Sequence, residues 1–262
     1  MHMKRFLLFL LAAFAFLALL GSPETTQATS HERYPDLRTL VPKDLRFDTE
    51  TIDGSLHHVL RLSNTVWNAG EGRLELRGES PPGVTKTRVY QRIYAAAGSL
   101  AFEEQVGEFD YHPEHGHWHF GDFAEYELWT KAEYDKWIAE GRKVGAAQRR
   151  GTKTTFCIID TKHVDNSLPG SPSSAQYTQC NNALQGLSIG WGDTYPYYLY
   201  EQWVDLGPSP LPDGQYVLRS IADPKDRIYE SANKGDPTRE SAEANEATTF
   251  FRVQRGRIRI QR

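Results

Sequence analysis

Cysteine is scarce in this chain, whose 262 residues include only Cys157 and Cys180. Two thiols are too few for a disulfide-rich scaffold, and they are also too few for a tetrahedral metal site made of thiolates. The fold must therefore be held mainly by its hydrophobic core. For the two cysteines themselves, a single bridge is the simplest expectation.

Long hydrophobic runs are also lacking, apart from one at the start of the chain, Phe6 to Leu20. Lys4 and Arg5 precede this run and small and polar residues follow it, which is the order found in a secretory signal. The run is shorter than the roughly 20 apolar residues of a membrane-spanning helix, so an uncleaved anchor is the less favoured alternative. We predict a signal peptide and polar leader over 1–30 and one folded domain over 31–262. The protein would be secreted or periplasmic, with no stable membrane insertion after signal removal, in a compartment where a disulfide persists.

The chain has no basic excess, since its formal net charge at pH 7 is −4. Phosphate backbones are bound by clustered Lys and Arg side chains, so we expect no nucleic-acid partner. The basic tail from Arg252 to Arg262 alternates its charges with apolar residues. This pattern indicates a charged strand rather than a binding arm.

Alternating apolar and polar residues recur along the chain and predict mostly β structure. The clearest example is His58 to Trp67. Further candidates, rich in aromatic and β-branched residues, are Arg73 to Leu76, Arg88 to Tyr94, His117 to Leu128, Thr154 to Ile159, Tyr198 to Asp205 and Gln215 to Ile221. The turn Pro212-Asp213-Gly214 predicts that the strands containing Trp203 and Tyr216 form a hairpin or lie side by side.

One segment has a helical pattern instead, Lys131 to Val144, in which Tyr134, Trp137 and Ile138 fall on one face. We find no internal repeat and no clear domain boundary. The sequence therefore predicts a mainly β fold, with a single sandwich-like domain and a short helical insertion.

Histidines are concentrated in one place, because four of the nine lie within residues 112–119. In an extended segment alternate side chains share a face, so His115, His117 and His119 would point the same way. Imidazole suits copper, zinc, iron and nickel, whereas calcium and magnesium prefer oxygen ligands. We predict a transition-metal site with these three ligands, and a supporting role for His112, which Pro113 takes out of the alternation. The alternative is a polar strand face whose histidines meet solvent.

Two other patterns point to different chemistry. The Gly186-Leu-Ser-Ile-Gly190 segment matches the G-x-S-x-G pattern of serine hydrolases, whose fold requires a later histidine. No histidine follows His163, so a serine hydrolase with that order of residues is excluded and the segment predicts a glycine-rich turn. His117 and His119 followed by Glu125 also resemble half of a cupin metal site, for which His163 is the sole later histidine.

Several segments taken in order resemble the lysyl oxidase family of copper-dependent amine oxidases. The resemblance runs through roughly the last 150 residues and rests on short strings whose shared order makes it specific. They are the run from His112 to His119, Asp122 to Leu128, Gly151 to Cys157, Gln185 to Ser188, Gly192 to Tyr195, Gln202 to Asp205 and Gly214 to Tyr216.

The resemblance implies that His115, His117 and His119 bind copper. It also implies that Lys153 and Tyr195 are cross-linked into lysyl tyrosylquinone. The reaction would convert a primary amine, from a small molecule, a peptide or a protein lysine, to an aldehyde with O2, releasing ammonia and hydrogen peroxide. Removal of the α-proton needs a base, for which Asp193 is our candidate. A turn aspartate bonded to backbone amides is the alternative for Asp193.

Departures from the family pattern limit what transfers. Glu114 and Trp191 stand where animal members have cysteines, and the stretch between Cys157 and Cys180 is longer, so substrate identity does not transfer. An extracytoplasmic copper-binding or copper-storage protein without quinone, or a cupin-like metal oxidoreductase, remains an alternative function. A further candidate is a calcium site in the acidic stretch 223–246, with oxygen ligands among Glu240, Glu243 and Asn245.

Overall fold

The fold was analysed in a computed structural model that describes residues 31–114, 116–142, 147–231 and 245–261. Within these ranges the chain is mainly β, as predicted, with one short helix. The signal-peptide prediction concerns 1–30, which lies outside the described residues. No helix in the described ranges is long and apolar enough to cross a membrane.

The strands run antiparallel wherever they pair. In chain order they are β1 (Glu32–Arg33), β2 (Leu37–Thr39), β3 (Lys43–Ile52), β4 (Ser55–Asn68), β5 (Leu74–Gly78), β6 (Lys86–Ala95), β7 (Leu100–His112), β8 (His117–Gly121), β9 (Ala124–Thr130), β10 (Arg149–Arg150), β11 (Thr155–Phe156), β12 (Lys162–His163), β13 (Leu184–Leu187), β14 (Trp191–Tyr195), β15 (Trp203–Gly207), β16 (Gly214–Ala222), β17 (Glu246–Gln254) and β18 (Arg257–Ile260). The helix α1 spans Lys131–Ala139.

The strands form three sheets. The first has the order β11-β8-β7-β6-β5-β13, with β1 paired to β6, and the second has the order β10-β9-β16-β17-β18. The third, β12-β14-β4-β15, is organised around the long strand β4, to which β2 and β3 also pair. One hydrophobic core contains side chains from all three sheets, including Phe120, Leu218 and Leu60. Burial of each such side chain contributes about 1.5–3 kcal/mol to folding.

The helix α1 is the predicted insertion, but it is shorter than the predicted segment from Lys131 to Val144. Thr130 caps its start by accepting a hydrogen bond from the Glu133 amide at 3.3 Å. Its end is set by Gly141, which has φ of 67° and donates to the Ile138 carbonyl, while Arg142 donates to the Trp137 carbonyl. This is a Schellman motif, and it stops the helix before the predicted end at Val144, which lies outside the described residues.

The apolar face predicted for the helix is correct at two of three positions. Tyr134 and Trp137 are buried against Trp129, with the two tryptophan rings stacked at 5.1 Å. Ile138 is 40% exposed and does not belong to the hydrophobic cluster that Tyr134 and Trp137 form with Trp129 and Val217.

The predicted pairing across Pro212-Asp213-Gly214 is wrong. Trp203 lies in β15, which pairs with β4, whereas Tyr216 lies in β16, between β9 and β17. Strand β16 pairs with β17 over eight residue pairs and with β9 over seven. This long pairing decides the neighbours of β16 and outweighs the local preference of the turn. The basic tail does form strand, as predicted, in a hairpin of β17 and β18.

Candidate active site

The histidine run forms the hairpin between β7 and β8. His112 lies opposite His117, and Asp110 lies opposite His119, so these four side chains share one face of the sheet. Gly116 allows the tight connection, because it has φ of 68° and its amide bonds the His112 carbonyl at 2.8 Å. The strand β8 begins at His117, and His115, the third predicted ligand, lies outside the described residues.

The imidazoles of His117 and His119 converge. Their Nε2 atoms are 2.8 Å apart, and His119 is only 2% exposed. In the square-planar or tetragonal geometry of copper(II), two nitrogens bound at about 2.0 Å each with an angle near 90° would be about 2.8 Å apart. The donor pair therefore fits a transition-metal ion. Across the described residues, no group of three or more His, Cys, Asp or Glu side chains is arranged to hold a metal.

Two neighbours hold these imidazoles in place. The Nδ1 of His119 lies 3.1 Å from the Thr155 hydroxyl, which can fix the ring orientation and tautomer as outer partners of metal-bound histidines do. His112 stacks on His119 with ring centroids 4.2 Å apart. Sequence reasoning missed Thr155, which belongs to β11, the strand that pairs with β8.

Lys153 lies in the segment between β10 and β11. Backbone bonds from Gly151 to the Tyr126 carbonyl and from Thr152 to the Trp203 carbonyl fix this segment across two sheets. Lys153 is only 4% exposed, and burial lowers its pKa, an effect that the nearby Glu201 carboxylate opposes. The ammonium form is therefore disfavoured there.

Tyr195 ends strand β14 and faces Lys153. The Lys153 Nζ is 5.9 Å from the centroid of the Tyr195 ring, and Phe156 packs edge-on against that ring at 4.6 Å. The Tyr195 hydroxyl donates to the Cys157 carbonyl. Burial, followed by the nearby Asp193 carboxylate, raises the pKa of Tyr195 well above its usual value, so the phenol is neutral at physiological pH.

Asp193 is buried in strand β14 rather than placed in a turn. Its carboxylate accepts hydrogen bonds from the Thr161 hydroxyl at 3.1 Å and from the Ile159 amide at 3.4 Å. Burial is the main cause that raises its pKa to about 7. A carboxylate with a pKa in this range can both accept and return a proton near neutral pH.

One cavity of about 270 Å³ collects these groups. Its lining includes five of the six predicted site residues, His117, His119, Lys153, Asp193 and Tyr195. Sequence reasoning missed the rest of the wall, namely Ile159, Thr161, Thr194, Leu199, Tyr200 and the two cysteines. Nothing in the sequence around these residues separates a cavity wall from the core.

The predicted disulfide is present in the cavity wall. Cys157 and Cys180 are bonded, with Cα atoms 5.4 Å apart and a sequence separation of 23. A bridge over a loop of this length stabilises a fold by about 3 kcal/mol. We expect the variant carrying both Cys157→Ala and Cys180→Ala to unfold in urea with a free energy lower by about that amount.

Wild-type protein unfolded in the presence of reductant serves as the control, and its stability should match that of the double variant. Free thiols at both positions in an unreduced peptide map would contradict the bridge.

The residues needed for a cupin site do not reach this cavity. Glu125 pairs with Arg150 at another sheet edge, and His163 stacks on Trp191 with its Nε2 2.9 Å from the Ser171 hydroxyl. The cupin-like alternative is therefore wrong in its ligand geometry.

The candidate calcium ligands are only partly described. Glu240 and Glu243 lie outside the described residues. The buried Asn245 donates to Glu230 at 2.8 Å, and burial raises the pKa of nearby Asp223 to about 6. The calcium site stays a prediction.

Comparison with known proteins identifies relatives of the chain. The family model described as lysyl oxidase matches residues 87–249, more than half of the chain. Lysyl oxidase homolog 2A of Danio rerio is 28% identical over 146 residues, which cover 54% of this chain and 18% of the relative. Lysyl oxidase homolog 3B of Danio rerio is 29% identical over 141 residues, covering 50% and 16%. Lysyl oxidase homolog 3 of Homo sapiens is 28% identical over 137 residues, covering 51% and 16%.

The chain spans less than a fifth of the length of these relatives. The family match itself includes both β8 and β14, which carry His117, His119 and Tyr195, as well as the segment of Lys153. On the strength of that match over more than half of its length, the chain belongs to the lysyl oxidase family.

Proposed function

We propose that this protein is a copper-dependent amine oxidase that converts primary amines to aldehydes and releases ammonia and hydrogen peroxide. Its cofactor would be a quinone made from Lys153 and Tyr195. The observation that carries the proposal is the shared cavity. In it the Lys153 Nζ lies 5.9 Å from the centroid of the Tyr195 ring, beside the imidazoles of His117 and His119. Membership in the lysyl oxidase family supports the same assignment.

Copper would be held by His117 and His119 together with His115. Neutral imidazole nitrogens suit copper. The Thr155 hydroxyl bonds the Nδ1 of His119, which leaves the Nε2 of that ring for the metal. When bound, copper supplies redox chemistry with O2, and the quinone supplies an electrophilic carbonyl and an acceptor for two electrons. No ordinary side chain offers either property.

Lys153 has the properties needed to join the Tyr195 ring. Only the neutral amine is a nucleophile, and burial lowers the pKa of Lys153 toward that form. A bonded Nζ would lie about 3 Å from the ring centroid, so the side chain must approach by about 3 Å, which its flexible four-carbon stem permits. The edge-on packing of Phe156 restrains the Tyr195 ring.

Asp193 is proposed as the base that removes the α-proton of the bound amine. It lines the same cavity as Tyr195, two residues away on β14. Its hydrogen bonds from Thr161 and Ile159 hold the carboxylate in position. These same bonds also suit a purely structural carboxylate, so the two roles must be separated by experiment.

The pH dependence of turnover separates them. A base must be deprotonated, and the pKa of Asp193 is about 7, so we expect kcat to fall as the pH drops through about 7. In Asp193→Asn, kcat per phenylhydrazine-reactive quinone should fall by about 100- to 10,000-fold. The acidic limb of the profile should disappear with it.

Asp53→Asn is the matched control, because exposed Asp53 precedes Gly54 in a tight turn that accepts asparagine equally well. If the Asp193→Asn variant had the kcat of the wild type and the same loss of activity at acidic pH, Asp193 would not be the base.

The proposed function itself is tested with copper-loaded, aerobically matured protein and n-butylamine. The oxidase releases hydrogen peroxide and butanal, whereas a copper-storage protein binds the metal and releases neither. Failure to bind any transition metal would exclude both. We further infer that the protein works outside the cytoplasm, where the disulfide between Cys157 and Cys180 persists.

A further inference from the structure

The segment from Pro196 to Gln202 contributes Leu199 and Tyr200 to the cavity lining and is held by consecutive turns. Leu199 donates to the Pro196 carbonyl at 3.1 Å, and Gln202 donates to the Leu199 carbonyl at 3.3 Å. Glu201 adopts a left-handed conformation with φ of 61°. The chain therefore changes direction several times within a few residues, and its side chains point to different sides.

Three contacts of Tyr197 anchor this segment to the sheet that contains β4. The guanidinium of Arg46 lies 3.4 Å from the centroid of the Tyr197 ring, and the Tyr197 amide donates to the Ser63 hydroxyl at 3.0 Å. Arg61 donates to the Tyr197 carbonyl at 3.0 Å. The segment is consequently a preorganised part of the entrance, and its exposed side chains are presented in defined positions.

Within the described ranges, the exposed aromatic side chains are Tyr198 and Tyr200, at 67% and 59%. Only Tyr200 also lines the cavity. Its ring packs edge-on against buried Trp203 at 5.6 Å, which holds it at the mouth. Tyr198 instead packs edge-on against Tyr197, with ring centroids 5.5 Å apart.

The chemistry of the entrance suits a cation on an apolar arm. The face of a tyrosine ring attracts ammonium groups electrostatically. Leu199 and Ile159 add apolar wall next to it. Glu201, the residue after Tyr200, is near enough to raise the pKa of Lys153, so its carboxylate adds negative potential that favours a cation on this side of the cavity. A volume of about 270 Å³ admits a narrow alkyl chain rather than a large ligand.

We propose that Tyr200 is a specificity-determining residue, whose ring receives the ammonium group and alkyl arm of the substrate at the cavity mouth. The substrate class is a primary ammonium on an unbranched alkyl arm, from a free alkylamine or a lysine side chain. The reaction of that substrate rests on the proposed function, whereas recognition of the cation does not. An amine with a carboxylate on the adjacent carbon is disfavoured by Glu201 and Asp193.

The test compares Tyr200→Leu, which keeps apolar area but loses the ring face, with Tyr200→Phe, which keeps the face. Tyr198→Leu is the matched control, because it removes an equally exposed ring that does not line the cavity. The first measurement is the Kd of n-butyltrimethylammonium, which cannot be oxidised and needs no quinone. We expect about 3- to 30-fold weaker binding in Tyr200→Leu and unchanged binding in the other two variants.

The second measurement is steady-state oxidation of n-butylamine and of Nα-acetyl-lysine amide, per phenylhydrazine-reactive quinone. In Tyr200→Leu, KM should rise about 3- to 30-fold for both amines while kcat stays within about twofold. The ratio of kcat/KM between the two amines identifies the preferred source of the ammonium.

The outcomes are distinguishable. Equal n-butyltrimethylammonium binding by wild type and Tyr200→Leu, or an equal loss in Tyr198→Leu, overturns the role of Tyr200. Selective loss in Tyr200→Leu, in a protein that never releases peroxide, supports the cation site and rejects the oxidase instead.

Discussion

Replacing Lys153 with alanine, or Tyr195 with phenylalanine, is expected to abolish amine-dependent release of hydrogen peroxide while copper binding is retained. Each residue contributes one half of the proposed cross-link, and neither belongs to the histidine hairpin formed by β7 and β8. Activity should fall at least about 1,000-fold in either variant. The double variant should be no worse than the single ones, because residues that act as a unit give non-additive effects.

The measurement combines peroxide release, quinone absorbance and copper content on the same preparation. Lys162→Ala and Tyr198→Phe are the matched controls, since both side chains are exposed and neither lines the cavity. Quinone absorbance that survives in Lys153→Ala would show that another nucleophile, or none, reacts with the tyrosine ring.

The second large effect is expected from the histidine hairpin. Removing an imidazole in His117→Ala or His119→Ala should weaken copper binding by more than about 100-fold and prevent quinone formation. Thr155→Val should have the smaller effect of an outer partner, about 10- to 100-fold in copper affinity. His115→Ala should match the effect of the other two ligands, although His115 lies outside the described residues.

Copper affinity in competition with a chelator, followed by quinone absorbance after aeration, measures this effect. His31→Ala is the control, because the side chain of His31 is 67% exposed and its Nε2 lies near Glu71, away from the cavity. His119 is buried, so thermal unfolding of the copper-free variants must be recorded alongside. Wild-type copper affinity in a folded His117→Ala or His119→Ala would place the metal elsewhere.

Much of the fold follows from local periodicity. The alternation of His58 to Trp67 predicts the centre of β4, and the pattern after Lys131 predicts α1. Periodicity does not report which strands pair. The hairpin prediction for Trp203 and Tyr216 failed for this reason, because long register with β4, β9 and β17 decides the neighbours.

In the candidate site, too, local periodicity predicts some positions and tertiary packing decides the others. Alternation places His117 and His119 on one face of β8, and the structure has their Nε2 atoms 2.8 Å apart. Lys153 and Tyr195 have no distinguishing pattern of their own, and they were selected only through the family resemblance. Their approach across two sheets depends on tertiary packing, as does the place of Tyr200 at the cavity mouth.

The most direct test of the quinone is a peptide mass map of the full-length protein after copper loading and aeration. We predict one covalently joined peptide pair containing Lys153 and Tyr195, with the mass expected for one added oxygen and the hydrogens lost on oxidation. The pair should be missing from protein matured without copper. Separate, unmodified Lys153 and Tyr195 peptides in copper-loaded, aerated protein would contradict the amine-oxidase account.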